Sequence, residues 1–85
     1  MNPAEALDAI HGYAAANRII TEGHARKRMR ERGVSNPDLR HALMTAARCR
    51  QQPNGRWRVE SADLDGDELT VIVVIEAGVI VVTLF

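Results

Sequence analysis

The run from Leu69 to Phe85 sets the strongest limit on how this chain can fold. It is almost wholly aliphatic, with Val71-Ile72-Val73-Val74-Ile75 and Val79-Ile80-Val81-Val82 on either side of Glu76-Ala77-Gly78. A helix needs about 20 apolar residues to cross a bilayer, and this run is shorter and broken in its middle, so it does not read as a membrane span. β-Branched side chains fit the pleated surface of a sheet. The run therefore reads as two strands, Glu68–Ile75 and Val79–Phe85, turning at Ala77-Gly78. Both are apolar on both faces, whereas a strand with one wet face alternates. Helices of this chain can cover one face. The other must meet the first helix wrapped round, a second copy, or a different protein.

Upstream the period is also close to two from Arg48 onward. Arg48–Gln52 and Arg56–Ser61 flank Pro53-Asn54-Gly55, and Asn-Gly is the strongest short hairpin signal. Asp63-Leu64-Asp65-Gly66-Asp67 makes the next turn; its acidic spacing lacks the later Glu and the following helix of a calcium loop, so an acidic hairpin turn is expected. Before Arg48 the period is helical. Asn2-Pro3-Ala4-Glu5 starts a first helix with Leu7, Ile10 and Ala14 on its inner face. Arg18-Ile19-Ile20 reads as a short extended segment, and Thr21 as the cap of a second helix that ends at Gly33. Ser35-Asn36-Pro37-Asp38 starts a third, burying Leu39, Ala42, Leu43, Ala46 and Ala47. The expected architecture is one α+β domain over residues 1–85, N-terminal helices packed on a four-stranded antiparallel meander. Residues 1–17 form an added helix and residues 18–85 the core unit.

Formal neutrality hides a segregated molecule. All eleven Lys and Arg side chains lie in residues 18–58 against Glu22, Glu31 and Asp38, a surplus of +8. The last third carries six acids and no base. Ten of the eleven bases are arginine, whose planar fork grips phosphate in bidentate fashion. A polyanion such as RNA is the expected partner. With three aromatic residues the chain is poorly supplied for stacking bases along a strand. The lone Cys49 excludes an internal disulfide and suits a reducing cytoplasm. No Cys/His grouping has zinc spacing and no Gly-rich phosphate loop occurs, so no metal or cofactor is expected. The N-terminus has no signal-peptide pattern.

On the second helix His24, Arg28 and Arg32 are spaced by four and rise along one side, at the border of the Ala25/Met29 stripe. His24 stands in the first turn, where a neutral imidazole could accept a proton, and a helix start can also receive phosphate. Metal-free RNA cleavage needs a base for the 2′-hydroxyl, an acid for the leaving oxygen and cations for the crowded phosphorus. His24 fits the first, Arg28 with Arg32 or Arg58 the third, and the acid is not evident. A solvated basic helix with a histidine at its head explains the same residues. Likewise Trp57, beside Arg56 and Arg58, suits a core aromatic better than a base-stacking platform. Thr83 is the one polar residue of the last strand, and His11 reads as a solvated or core-edge histidine.

The motif His24-Ala25-x-x-Arg28-Met29-x-Glu31-Arg32-Gly33-Val34-Ser35, continued by Asp38-Leu39-x-x-Ala42-Leu43, Asn54-Gly55-Arg56 and Val81-Val82-Thr83, resembles a small bacterial domain family of unknown function. That family has been grouped with the barnase, EndoU, colicin and RelE-like nuclease fold. The resemblance covers roughly residues 18 to 85, and Phe85 stands where the pattern would place Tyr. It implies a RelE- or MqsR-like arrangement of helices then sheet, and a catalytic site of His24, Arg28, Arg32, Arg58 and Thr83. The function so implied is a metal-independent endoribonuclease toxin paired with an antitoxin protein, or a relative retaining RNA binding. The alternatives are a non-enzymatic homodimeric module using its apolar sheet and a small nucleic-acid-binding regulator. For the last, no second helix reads as a recognition helix with base-reading Asn or Gln residues.

Overall fold

The first helix begins where its cap allows. Asn2 accepts from Glu5 N while Glu5 accepts from Asn2 N, both at 2.8 Å, and Pro3 occupies a position whose N–H would be unpaired anyway. The resulting helix α1 (Pro3–Ala15) buries Ala6, Ile10 and Ala14. Leu7, placed on that line by the sequence pattern, sits half-buried at its margin. Small side chains at the contact let α1 lie close on the third helix, and His11 Nε2 fastens the two by donating to Ala46 O at 2.7 Å.

In the computed structural model, which describes residues 1–85, the chain next enters β1 (Ile19–Thr21). Thr21 is therefore a strand residue and not a helix cap. Helix α2 (Gly23–Arg32) starts from Glu22 without a side-chain cap bond. It stops at Gly33, and Val34 N returns to Met29 O at 2.9 Å. Helix α3 (Asn36–Thr45) opens with a reciprocal Ser35–Asp38 cap and buries Leu39, Ala42 and Leu43. Ala46 joins them as the chain leaves the helix, whereas Ala47 is exposed.

Four antiparallel strands follow as the alternation requires: β2 (Arg48–Gln51), β3 (Trp57–Ala62), β4 (Glu68–Ile75) and β5 (Val79–Leu84). The β2–β3 turn is a single 3-10 turn, Pro53–Gly55, with Asn54 and Gly55 both at positive φ. The expected four-stranded meander needs one correction. The sheet has five strands in the order β1-β5-β4-β3-β2 and is mixed, because β1 runs parallel to β5 with Ile19, Ile20 and Thr21 opposite Val79, Ile80 and Val81. The outer edge of β5 would otherwise present unpaired backbone groups, and β1 satisfies them. Gly78 permits the approach, since a Cβ there would lie 3.1 Å from Arg18 O, the acceptor for Val79 N.

All three helices contribute to one core on one face of the sheet. Trp57, Val59, Leu69, Val71, Val73, Val79, Val81 and Leu84 point into it and meet Ile10, Met29, Leu39 and Leu43. Helix α1 lies on that same face and does not wrap to the other. The second face is left open. Its apolar members Ile72, Val74, Ile80 and Val82 are half-buried against one another, and Ile20 at the edge is 58% exposed. A bulge falls between Ile72 and Val73: Val73 faces Val81 but Ile72 faces Thr83, so Val82 is the extra residue. The bulge resets the alternation, which lets Leu84 point into the core and Thr83 outward. No helix is long and apolar enough to cross a membrane.

Candidate functional site

Helix α2 is moored to β5 at two points. Glu22 N donates to Val81 O at 3.1 Å, and Arg28 Nε donates to Leu84 O at 3.2 Å. Six helical residues rise about 9 Å and three strand residues span about 10 Å. The helix thus runs beside β5, in the same direction, along the edge that β1 leaves free. Its Arg26–Arg30 flank faces the helical layer, lining a cavity of ≈ 520 Å³ with Met29, Val34, Ser35 and Asn36. The opposite flank, with His24 and Arg28, therefore turns toward the open side of the sheet. Arg28 is half-buried, its two terminal nitrogens free beyond the bond at Nε. His24 and Arg32 are exposed.

Strand register arranges the rest of that side in two rows. Arg50, Arg58, Ile72 and Thr83 are successive cross-strand neighbours on β2, β3, β4 and β5. The next row holds Arg48, Glu60 and Thr70, and Thr70 exchanges backbone bonds of 2.8 and 2.9 Å with Phe85. Two arginines directly opposite each other repel. Here Arg50 and Arg58 share one counter-charge: Arg50 Nη2 and Arg58 Nε both donate to Glu60 Oε1, at 3.2 and 3.1 Å. The bond from Arg58 holds the Glu60 carboxyl below its usual 4.5; burial opposes it, and the charges of Arg50, Arg58 and Arg48 add to the lowering. The Arg58 guanidinium also lies over the Phe85 ring, 5.2 Å from its centre.

Of the five residues singled out in the sequence, Arg58 and Thr83 share a row, two strands or about 10 Å apart with Ile72 between them. Arg28 reaches the strand end at Leu84, next to Thr83. His24 precedes Arg28 by one helical turn on the flank facing the same side, and Arg32 continues that line toward the end of α2. Arg58, Thr83 and Arg28 thus border one shallow surface and do not close into a cleft, and no contact joins the exposed His24 and Arg32 to it. Trp57 is buried in the core, and Arg56, outside β3, is exposed. The aromatic on the open face is Phe85. Sequence reasoning passed over Arg48, Arg50 and Glu60 as members of the surface. Their signal was the alternation Arg48-x-Arg50 set against Arg58-x-Glu60 across the Asn54-Gly55 turn.

Other chemically active groups are accounted for by the fold. Burial raises the Cys49 thiol, which sits 3.4 Å from Pro3 O. The carboxylates of Asp63, Asp65 and Asp67 lie within 4.8 Å of one another, and Asp63 Oδ1 accepts from the amides of Asp65 and Asp67, tying the β3–β4 turn together. Compared with models of protein families, with curated proteins and with solved structures, the chain finds no match in any of the three.

Proposed function

We propose that this protein binds RNA on the open sheet face and the adjoining flank of α2, and cuts it there without a metal ion, as the toxin of a toxin–antitoxin pair. The observation that carries this reading is the direct pairing of Arg50 with Arg58, beside Arg48 and with Glu60 as the one shared carboxylate. Cross-strand like charges cost stability, and a bound polyanion would offset that cost. Arg28 adds a fourth guanidinium, pre-oriented by its bond to Leu84 O. These groups would hold the phosphate and stabilise the charge that builds on it. His24 would take the 2′-hydroxyl proton; the freed oxygen attacks phosphorus, the bond to the 5′-oxygen breaks, and water supplies that oxygen's proton. The products are a 2′,3′-cyclic phosphate and a 5′-hydroxyl end. In this scheme Arg32 steers the strand and Thr83 offers a hydroxyl to a phosphate oxygen.

The test is to incubate labelled single-stranded RNA with the purified protein in EDTA and identify the new ends. Cyclic phosphate termini, lost in a folded His24→Ala variant, are expected. A folded protein that neither retains nor cleaves RNA would overturn the proposal. A second reading, a non-enzymatic homodimer, is favoured by Ile20, exposed beside Ile80 and Val74 at the apolar end of the same face. An acidic antitoxin would instead seat on the arginine rows.

A further inference from the structure

We infer that the row Arg48–Glu60–Thr70–Phe85 is a nucleobase subsite that accepts a base bearing an exocyclic amino group and turns away uracil. The inference rests on the RNA-binding reading above and adds to it which bases the face prefers. Phe85 terminates the row, 41% exposed, with the Arg58 guanidinium over its ring. The exposed part of that ring is a stacking surface, and stacking on an aromatic side chain tolerates any base. Glu60 stands two strands away, about 10 Å between backbones, and the Arg58 guanidinium bridges the interval from Glu60 to the Phe85 ring, so a base would stack on the outer side of that ring and guanidinium with its edge toward Glu60.

The selectivity comes from Glu60. Both arginine bonds end on Oε1, which leaves Oε2 without a partner on a side chain that is 40% exposed. Glu60 lines a cavity of ≈ 330 Å³ together with Arg48, Arg58, Ser61, Glu68 and Thr70. No hydrophobic residue lines it, and it holds a second carboxylate, Glu68. The neighbouring arginines keep Glu60 ionised, and an ionised carboxylate can only accept. Its ligand must therefore bring a donor. Adenine, cytosine and guanine each carry an amino group on the edge they would present. Uracil carries carbonyl oxygens on both sides of its one N–H, and these face the carboxylate as like to like.

The experiment uses labelled oligoribonucleotides of A, C or U in 2′-O-methyl form, which cannot be cut, titrated with the full chain at fixed salt and followed by fluorescence anisotropy. Binding of the A and C strands tighter than U by about ten-fold is expected, the scale of one good polar contact to a base edge. In Glu60→Gln, whose amide can donate to a uracil oxygen, the difference should shrink to about two-fold. Phe85→Ala should weaken all three strands and leave their ratio unchanged. Circular dichroism checks that Glu60→Gln is folded. Equal affinities for the three strands in the unaltered protein, or an unchanged ratio in folded Glu60→Gln, would overturn the subsite while leaving RNA binding intact. Failure of every strand to bind would overturn both.

Discussion

Replacing Arg50 by Gln should change the salt dependence of RNA binding more than it changes the fold. Each phosphate contact to a single strand contributes about −0.7 to the slope of log K against log salt. The open side carries Arg28, Arg48, Arg50 and Arg58, and Glu60 offsets one of them, which leaves about three effective contacts and a slope near −2. Between about 50 and 200 mM salt, affinity should then fall roughly twenty-fold. Arg50→Gln should flatten the slope by about 0.7 and reduce that drop to roughly seven-fold. Its ion pair with Glu60 is exposed, so little stability goes with it. Arg30→Gln is the matched control, since it removes the same charge from the flank of α2 that faces the helical layer. Anisotropy titrations at four or five salt concentrations give the slopes. Equal flattening by Arg50→Gln and Arg30→Gln would refute the argument, because it would mean that diffuse charge holds the strand and the sheet rows do not.

His24→Ala should cut the cleavage rate about 10²–10⁴-fold while EDTA leaves the unaltered protein active; loss of activity in EDTA with rescue by a divalent cation would refute the His/Arg scheme. The α3 cap makes stability pH-dependent: hydrogen bonds from Ser35, backbone first, and from Leu64 N hold Asp38 below its usual 3.8. That stabilisation is present above 3.8 and disappears as pH falls through the lower value in the folded state, so the Tm of the unaltered protein should drop toward that of Asp38→Asn in acid, and parallel curves would contradict it. Light scattering should show a dimer that Ile20→Lys converts to a monomer, and a monomer in both would remove the homodimer reading.

Local chemistry made most of the elements legible. Asn2-Pro3-x-Glu5 and Ser35-x-Pro37-Asp38 mark helix starts because each pairs orphan amides within four residues, and Asn54-Gly55 marks its turn because both residues take positive φ. Arg18-Ile19-Ile20 read as a short extended segment, but its place in the sheet as β1, parallel to β5, was not legible. Three residues carry too little periodicity, and their partners Val79–Val81 lie at the far end of the chain, so only the folded topology brings them together. The bulge at Val82 was hidden for the same reason: it is defined by pairing, and an unbroken Val-Ile run looks identical with or without it. In the site, the spacing of His24 and Arg28 was visible because a helix repeats locally. The facing of Arg50 and Arg58 depends on hairpin register, which an Asn-Gly turn suggests but a 3-10 connection sets.

The open face also reconciles two readings that compete for it. Its apolar members, Ile20, Ile80, Val74 and Ile72, occupy the side toward β1 and the middle of β4. Its charged members, Arg48, Arg50, Arg58 and Glu60, occupy β2 and β3 at the other side. A second copy seated on the apolar side would bury exposed Ile20 and leave the arginine rows and Phe85 open to a strand of RNA. The reverse arrangement is physically poor. Pressing a second copy onto the arginine rows would desolvate at least three guanidinium groups that have one shared carboxylate between them, and unpaired buried charge costs more than the apolar contact could return. Dimerisation and RNA binding are therefore expected to use opposite sides of one sheet face, and Ile20→Lys should separate them by abolishing the first without weakening the second.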